Sequence, residues 1–214
     1  MHPDVQRLRT LVPPGPEGGE QLDWQEVERD LGCPLPADFR DLVDLYGVGT
    51  IDEYLMILPP VSAEHESGIP SVGRMTPTPE KTAWLEHTGS TYPFRPQPGS
   101  LVCGLRLVDG NGDLSGAVYW RTSGPVPEQW PVVLWQRYQP FVEFNLSMTG
   151  LLVKWLTEAS EIEFHRRLVF GAPHSRFVHW RTEREMRKRG VDPWEYLEPL
   201  YIEANEEWER QNLV

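Results

Sequence analysis

The residues able to do chemistry are spread thinly along this chain. Asp109-Gly110-Asn111-Gly112-Asp113 imitates the first half of a calcium loop. Its sixth position, however, is Leu114 instead of glycine, and its twelfth is Trp120 instead of a bidentate glutamate. Asp-Gly and Asn-Gly favour positive φ, so this stretch reads as a hairpin turn. The histidines His2, His65, His87, His165, His174 and His179 form no HExxH, and the two cysteines lack zinc spacing. Glu64-His65-Glu66 resembles a ligand cluster only in composition, and His174 and His179 are read as surface residues. Cys103 sits in an apolar run with Val102 and Leu105, where burial raises a thiol pKa and quiets it. No P-loop, GxSxG or dinucleotide fingerprint is present. A Cys103–His hydrolase using the 61–100 loop stays open as a minor reading.

The carboxylates are more informative. Net charge is −12, and residues 26–66 hold ten acids against Arg29 and Arg40. Asp38, Asp41 and Asp44 recur every three residues, a like-charge spacing that costs a helix a few tenths of a kcal/mol, roughly. With Asp52, Glu53, Glu64 and Glu66 they make a candidate docking surface for a basic protein. The same field repels phosphate backbones, so nucleic acid is excluded as a direct ligand and the nine tryptophans are assigned to the core.

These residues need elements to hold them. Asp23 with Glu26 makes a capping box, and Leu22 with Val27 a hydrophobic staple, which predicts a helix ending at Gly32. Pro36 opens a second helix whose apolar stripe is Phe39, Leu42, Val43 and Tyr46, ending at Gly47. Leu55–Leu58, Leu101–Val108, Gly116–Thr122 and Trp130–Arg137 read as strands, with a short fourth or fifth element at Phe141–Leu146. Ser147 caps a helix carrying Met148, Leu151, Leu152, Trp155 and Leu156. A helical turn around Trp84 and Leu85 is expected within the Pro-rich 61–100 stretch. Strands between flanking helices, joined by hairpins, predict an α+β fold.

Three segments follow. Residues 1–22 are expected to be flexible because of Pro13-Pro14-Gly15-Pro16 and Gly18-Gly19. Residues 23–160 form the α+β domain. Residues 161–214 form a charged extension: 166–189 carry a balance of +6 and 192–209 of −7. Arg189-Gly190-Val191-Asp192-Pro193 separates the two, so a helical hairpin with mutually attracting arms is predicted. No apolar run approaches the ~20 residues of a membrane span, and the N-terminus lacks a signal-peptide h-region. The expectation is a cytoplasmic protein with reduced thiols, no membrane partner, no cofactor and a monomeric state.

Taken in order, Trp24, Val27-Glu28, Leu31-Gly32, Leu35-Pro36, Asp38-Phe39, Leu42 and Tyr46-Gly47 resemble the opening signature of the SUKH superfamily. Leu55–Leu58, Asn111-Gly112-Asp113, Tyr119-Trp120, Trp130-Pro131-Val132-Val133 and Leu151-Leu152 extend the resemblance over about residues 24–160. The 61–100 and 161–214 stretches depart from it. The resemblance implies a non-enzymatic α+β domain, its mixed, largely antiparallel sheet flanked by helices, that binds and neutralises a cognate bacterial toxin, often a nuclease or deaminase. An intracellular scaffold or regulator, like the superfamily's yeast cell-wall-synthesis relative, is the alternative.

Overall fold

The structure, a computed structural model, describes residues 1–61, 64–73, 82–83, 86–87, 100–109, 112–137, 139–158 and 174–212. Trp84 and Leu85 of the expected helical turn, Asn111, and 159–173 lie outside the described residues. The element order is α1 (Pro3–Leu11), α2 (Trp24–Leu31), α3 (Ala37–Tyr46), β1 (Gly49–Ile51), β2 (Leu55–Ile57), β3 (Leu101–Val108) and β4 (Leu114–Arg121). After a 3-10 turn at Pro127–Gln129 come β5 (Val132–Gln136), β6 (Val142–Phe144), α4 (Met148–Thr157), β7 (Phe177–His179), α5 (Trp180–Lys188) and α6 (Leu197–Asn212). The seven strands form one sheet in the order β6-β5-β4-β3-β2-β1-β7. Every pairing in it is antiparallel, giving the α+β class that the strand and helix pattern predicts.

The local chemistry explains the helices. Asp23 accepts from the N–H groups of Gln25 and Glu26, satisfying two donors that α2 cannot bond internally, and Gly32 ends it at φ 65°. Pro36 is the N-cap of α3, whose buried stripe is Phe39, Leu42, Val43 and Tyr46. Ser147 caps α4 by accepting from Gly150 N–H. Phe39 meets Trp120 of β4 edge to face, with ring centroids 5.0 Å apart. A Cβ at Gly104 would fall 2.5 Å from Trp120 and 2.6 Å from Met148 Sδ, so a glycine is what lets α4 lie this close to the sheet. The β3–β4 register also shifts between Cys103 and Leu105. Cys33 and Cys103 are both buried thiols outside any disulfide; burial, with Glu28 beside it, pushes the Cys33 thiol up to about 11.

Two expectations are corrected. Residues 3–12 are not a flexible lead: Val5, Leu8 and Val12 are fully buried, and Val12 C=O accepts from Tyr46 O–H at 2.5 Å. The prolines that follow Val12 end the helix without loosening it. The segment past 161 is not simply appended either, because β7 pairs with β1 (Gly49↔His179, Ile51↔Phe177) and supplies one edge of the sheet. The helical hairpin is present as α5 and α6, but α6 starts at Leu197. Asp192, predicted to cap it, bonds Trp194 N–H at 3.0 Å in a turn before it. Of the α5 cations predicted to reach α6, Arg187 and Lys188 pair instead with Glu183 and Glu185 on their own helix.

Candidate functional site

The N-terminal ends of three helices converge on one crevice. His2 caps α1, Pro36 caps α3 and Ser147 caps α4, and all three line it with Asp38, Trp120, Pro127, Glu128 and Trp130. Each helix start carries about half a positive charge from its aligned peptides. The carboxylates around the crevice answer that charge. Asp38 is 3 % exposed, and its Oδ2 accepts from Thr149 N–H in the first turn of α4 at 2.8 Å. Thr149 Oγ1 returns a long bond to the Asp38 carbonyl at 3.4 Å. Asp4 in the first turn of α1 accepts from Ser147 O–H at 2.6 Å. Asp41 accepts from His2 N–H and lies 3.6 Å from the chain's amino terminus.

This arrangement corrects the assignment of Asp38 as a docking residue. Its carboxylate is buried because it ties α3 to α4. Asp52 is corrected likewise. It is 2 % exposed, and its Oδ1 accepts from Arg176 N–H at 2.8 Å and Tyr196 O–H at 2.6 Å. Burial pushes its carboxyl above the ordinary range, against the hydrogen bonds from Ser175 and Tyr196. Asp52 and Glu53 are also the two non-glycine residues with positive φ among the described residues, 51° and 67°. Both sit in the β1–β2 turn, whose conformation the Asp52 bonds to the C-terminal segment hold in place. Glu53 is half-buried, its carboxyl raised by burial and by Asp192.

The other predicted contacts are dispersed. Asp44 is exposed but accepts from Trp24 Nε1–H at 2.9 Å; burial of the carboxyl raises its pKa, which the Trp24 bond opposes. Glu66 pairs with Arg181 of α5 at 3.4 Å, and Glu64 is exposed. Of these acids, Asp38 and Asp41 meet the helix starts, Asp44 meets Trp24, Asp52 meets the C-terminal segment and Glu66 meets α5. Asp38 and Asp52 are buried, whereas Asp44, Glu64 and Glu66 are exposed.

Free negative charge is concentrated instead on α6. Glu198, Glu203, Glu206 and Glu209 are exposed and form no ion pair among the described residues. Glu198, Ile202, Glu206 and Glu209 fall at i, i+4, i+8 and i+11, one stripe of the helix. Ile202 on that stripe is 54 % exposed. The opposite face holds α6 to the body: Leu197 is buried, and Tyr201 packs edge to face on Tyr54 at 6.1 Å. The charge run at 192–209 was legible in the sequence. The solvent-facing Ile202 within it was not.

A second cluster surrounds Trp180. His179, read from the sequence as a surface residue, is 1 % exposed. Its Nδ1 accepts from Arg181 N–H, which places the ring proton on Nε2, 3.6 Å from Glu20 Oε1. Among the described residues, no group of three or more histidine, cysteine or acidic side chains is arranged to hold a metal ion. No helix among them is long and apolar enough to cross a membrane. In comparisons with family models, curated proteins and solved structures, the chain matches none.

Proposed function

We propose that this chain is a non-catalytic recognition protein of the immunity type, binding a basic bacterial toxin through the outer face of α6. The observation that carries the reading is the stripe of unpaired carboxylates on α6 beside exposed Ile202, in a chain of net charge −12. A toxin that acts on nucleic acid is itself basic. Unpaired carboxylates accelerate encounter with such a surface and select it against neutral ones. Ile202 supplies the apolar contact that a purely electrostatic encounter lacks. The SUKH-like order of motifs in 24–160 agrees with this reading, and α6 lies in the C-terminal stretch that departs from it.

The test is the double reversal Glu206→Lys with Glu209→Lys, both exposed on that stripe. Against a toxin domain that the wild-type chain neutralises, the association rate at low salt is expected to fall by about tenfold or more. Its salt dependence should flatten, and growth protection on co-expression should weaken. Association and protection that match the wild type would refute α6 as the docking face. Absence of protection by the wild type, with several endogenous partners retained, would transfer the protein to the scaffold class.

A further inference from the structure

Three buried polar atoms without a hydrogen-bond partner among the described residues lie close together: Glu20 Oε1, His179 Nε2 and Trp180 Nε1. They belong to the segment between α1 and α2, the last residue of β7 and the first of α5. Four groups that are cationic or can become so surround the Trp180 indole. His65 packs edge to face on it at 5.4 Å, and His179 lies tilted at 6.0 Å. The Arg181 and Arg184 guanidinium carbons stand 4.8 and 4.7 Å from its centre. The facing acids are Glu20 and Glu17 from the N-terminal segment and Glu66, which is paired with Arg181.

We propose that this corner is a proton-operated latch: neutral His65 and His179 let the Glu17–Glu20 segment and the His65–Gly68 turn close over the junction of β7 and α5, and protonation opens them. The closed packing is tight. A Cβ on Gly47 would lie 2.9 Å from His179 Nε2, and one on Gly19 would lie 2.1 Å from the Asp44 carbonyl oxygen. Glu20 N–H donates to Val43 C=O at 3.1 Å, and Gly68 N–H to His65 C=O at 2.9 Å. Charging both imidazoles would set four cations around one indole, with Glu17, Glu20 and Glu66 to balance them. The His179–Glu20 contact alone does not reverse this, because 3.6 Å lies outside hydrogen-bonding range and the ring is buried. Burial holds both imidazoles below their ordinary pKa, with Glu20 pulling the other way.

The sign follows by linkage. A histidine whose closed-state pKa is depressed favours the closed form at higher pH. That preference is lost as pH falls through the ordinary value of 6.5 towards the depressed one. The latch is independent of the toxin-binding proposal. The experiment is amide hydrogen exchange on the full chain at pH 7.5 and 5.5, corrected for intrinsic exchange. Protection of the Glu20 and Gly68 amides is expected to fall on acidification, by up to about tenfold per pH unit for each coupled proton, while the β3–β4 amides stay unchanged. His179→Gln and His65→Gln should each flatten this pH dependence. Equal protection at both pH values, or the same loss in both variants, would overturn the latch. If a variant does not fold, NMR titration of the wild-type imidazole C–H signals decides: both rings titrating at or above 6.5 also overturns it.

Discussion

Asp38→Ala separates a structural carboxylate from a docking one. The substitution removes the only acceptor described for Thr149 N–H, at 2.8 Å and buried, together with a negative charge at the start of α4. A hydrogen bond to a charged group contributes about 1.5–3 kcal/mol. The charge–dipole interaction adds about 0.3–1 kcal/mol, more where it is partly buried as here. A loss of about 3 kcal/mol is therefore expected for Asp38→Ala. Asp38→Asn keeps an acceptor oxygen and should lose about 1 kcal/mol. In a chain of this size each kcal/mol moves Tm by about 2–4 °C, so the alanine variant should melt about 6–12 °C lower. Thermal unfolding by circular dichroism at neutral pH measures this. Partner association of the surviving folded fraction should match wild type. An unchanged Tm with weakened association would refute the structural role and return Asp38 to the docking surface.

Two further substitutions probe regions where the structure departs from expectation. Leu8→Ala should destabilise the chain by about 2–5 kcal/mol, as a buried core leucine does, instead of the near-zero effect of a flexible lead; urea unfolding reports it directly. Asp52→Asn retains the acceptor oxygen for Arg176 N–H and Tyr196 O–H while removing a buried charge. Because the folded carboxyl sits above its ordinary value of 3.8, the native state holds this proton to higher pH than the unfolded chain does. The wild type thus loses stability as pH rises from 3.8 through that raised value, and the asparagine variant should lose this part of the pH dependence in urea titrations.

Much of the fold was readable because its signals are local. The Asp23 capping box, the α3 stripe, the β3–β4 hairpin and the Ser147 cap each lie within a few residues. What escaped depends on distant partners. β1 and β7 have three residues each, too few for any period to emerge, and exist because Gly49 meets His179. α1 holds its place through Val5 and Leu8 against the core, which the neighbouring prolines hide. The candidate site failed for the same reason. Composition correctly located negative charge between Asp38 and Glu66, but Asp38 finds Thr149, Asp4 finds Ser147 and Asp52 finds Arg176. A linear reading cannot separate a carboxylate bound to a remote helix start from one facing water. It also placed His179 outside, where three-dimensional packing puts it behind Glu20.

The pairing of β1 with β7 bears on how the chain is made. Gly49–Ile51 leaves the ribosome long before Phe177–His179, so during synthesis the outer border of β1 has amide and carbonyl groups with nothing to join. Such a border can recruit a strand from a neighbouring nascent copy. Polysomes crowded with this message are where misassembly would begin, and messages truncated before residue 177 should yield insoluble product.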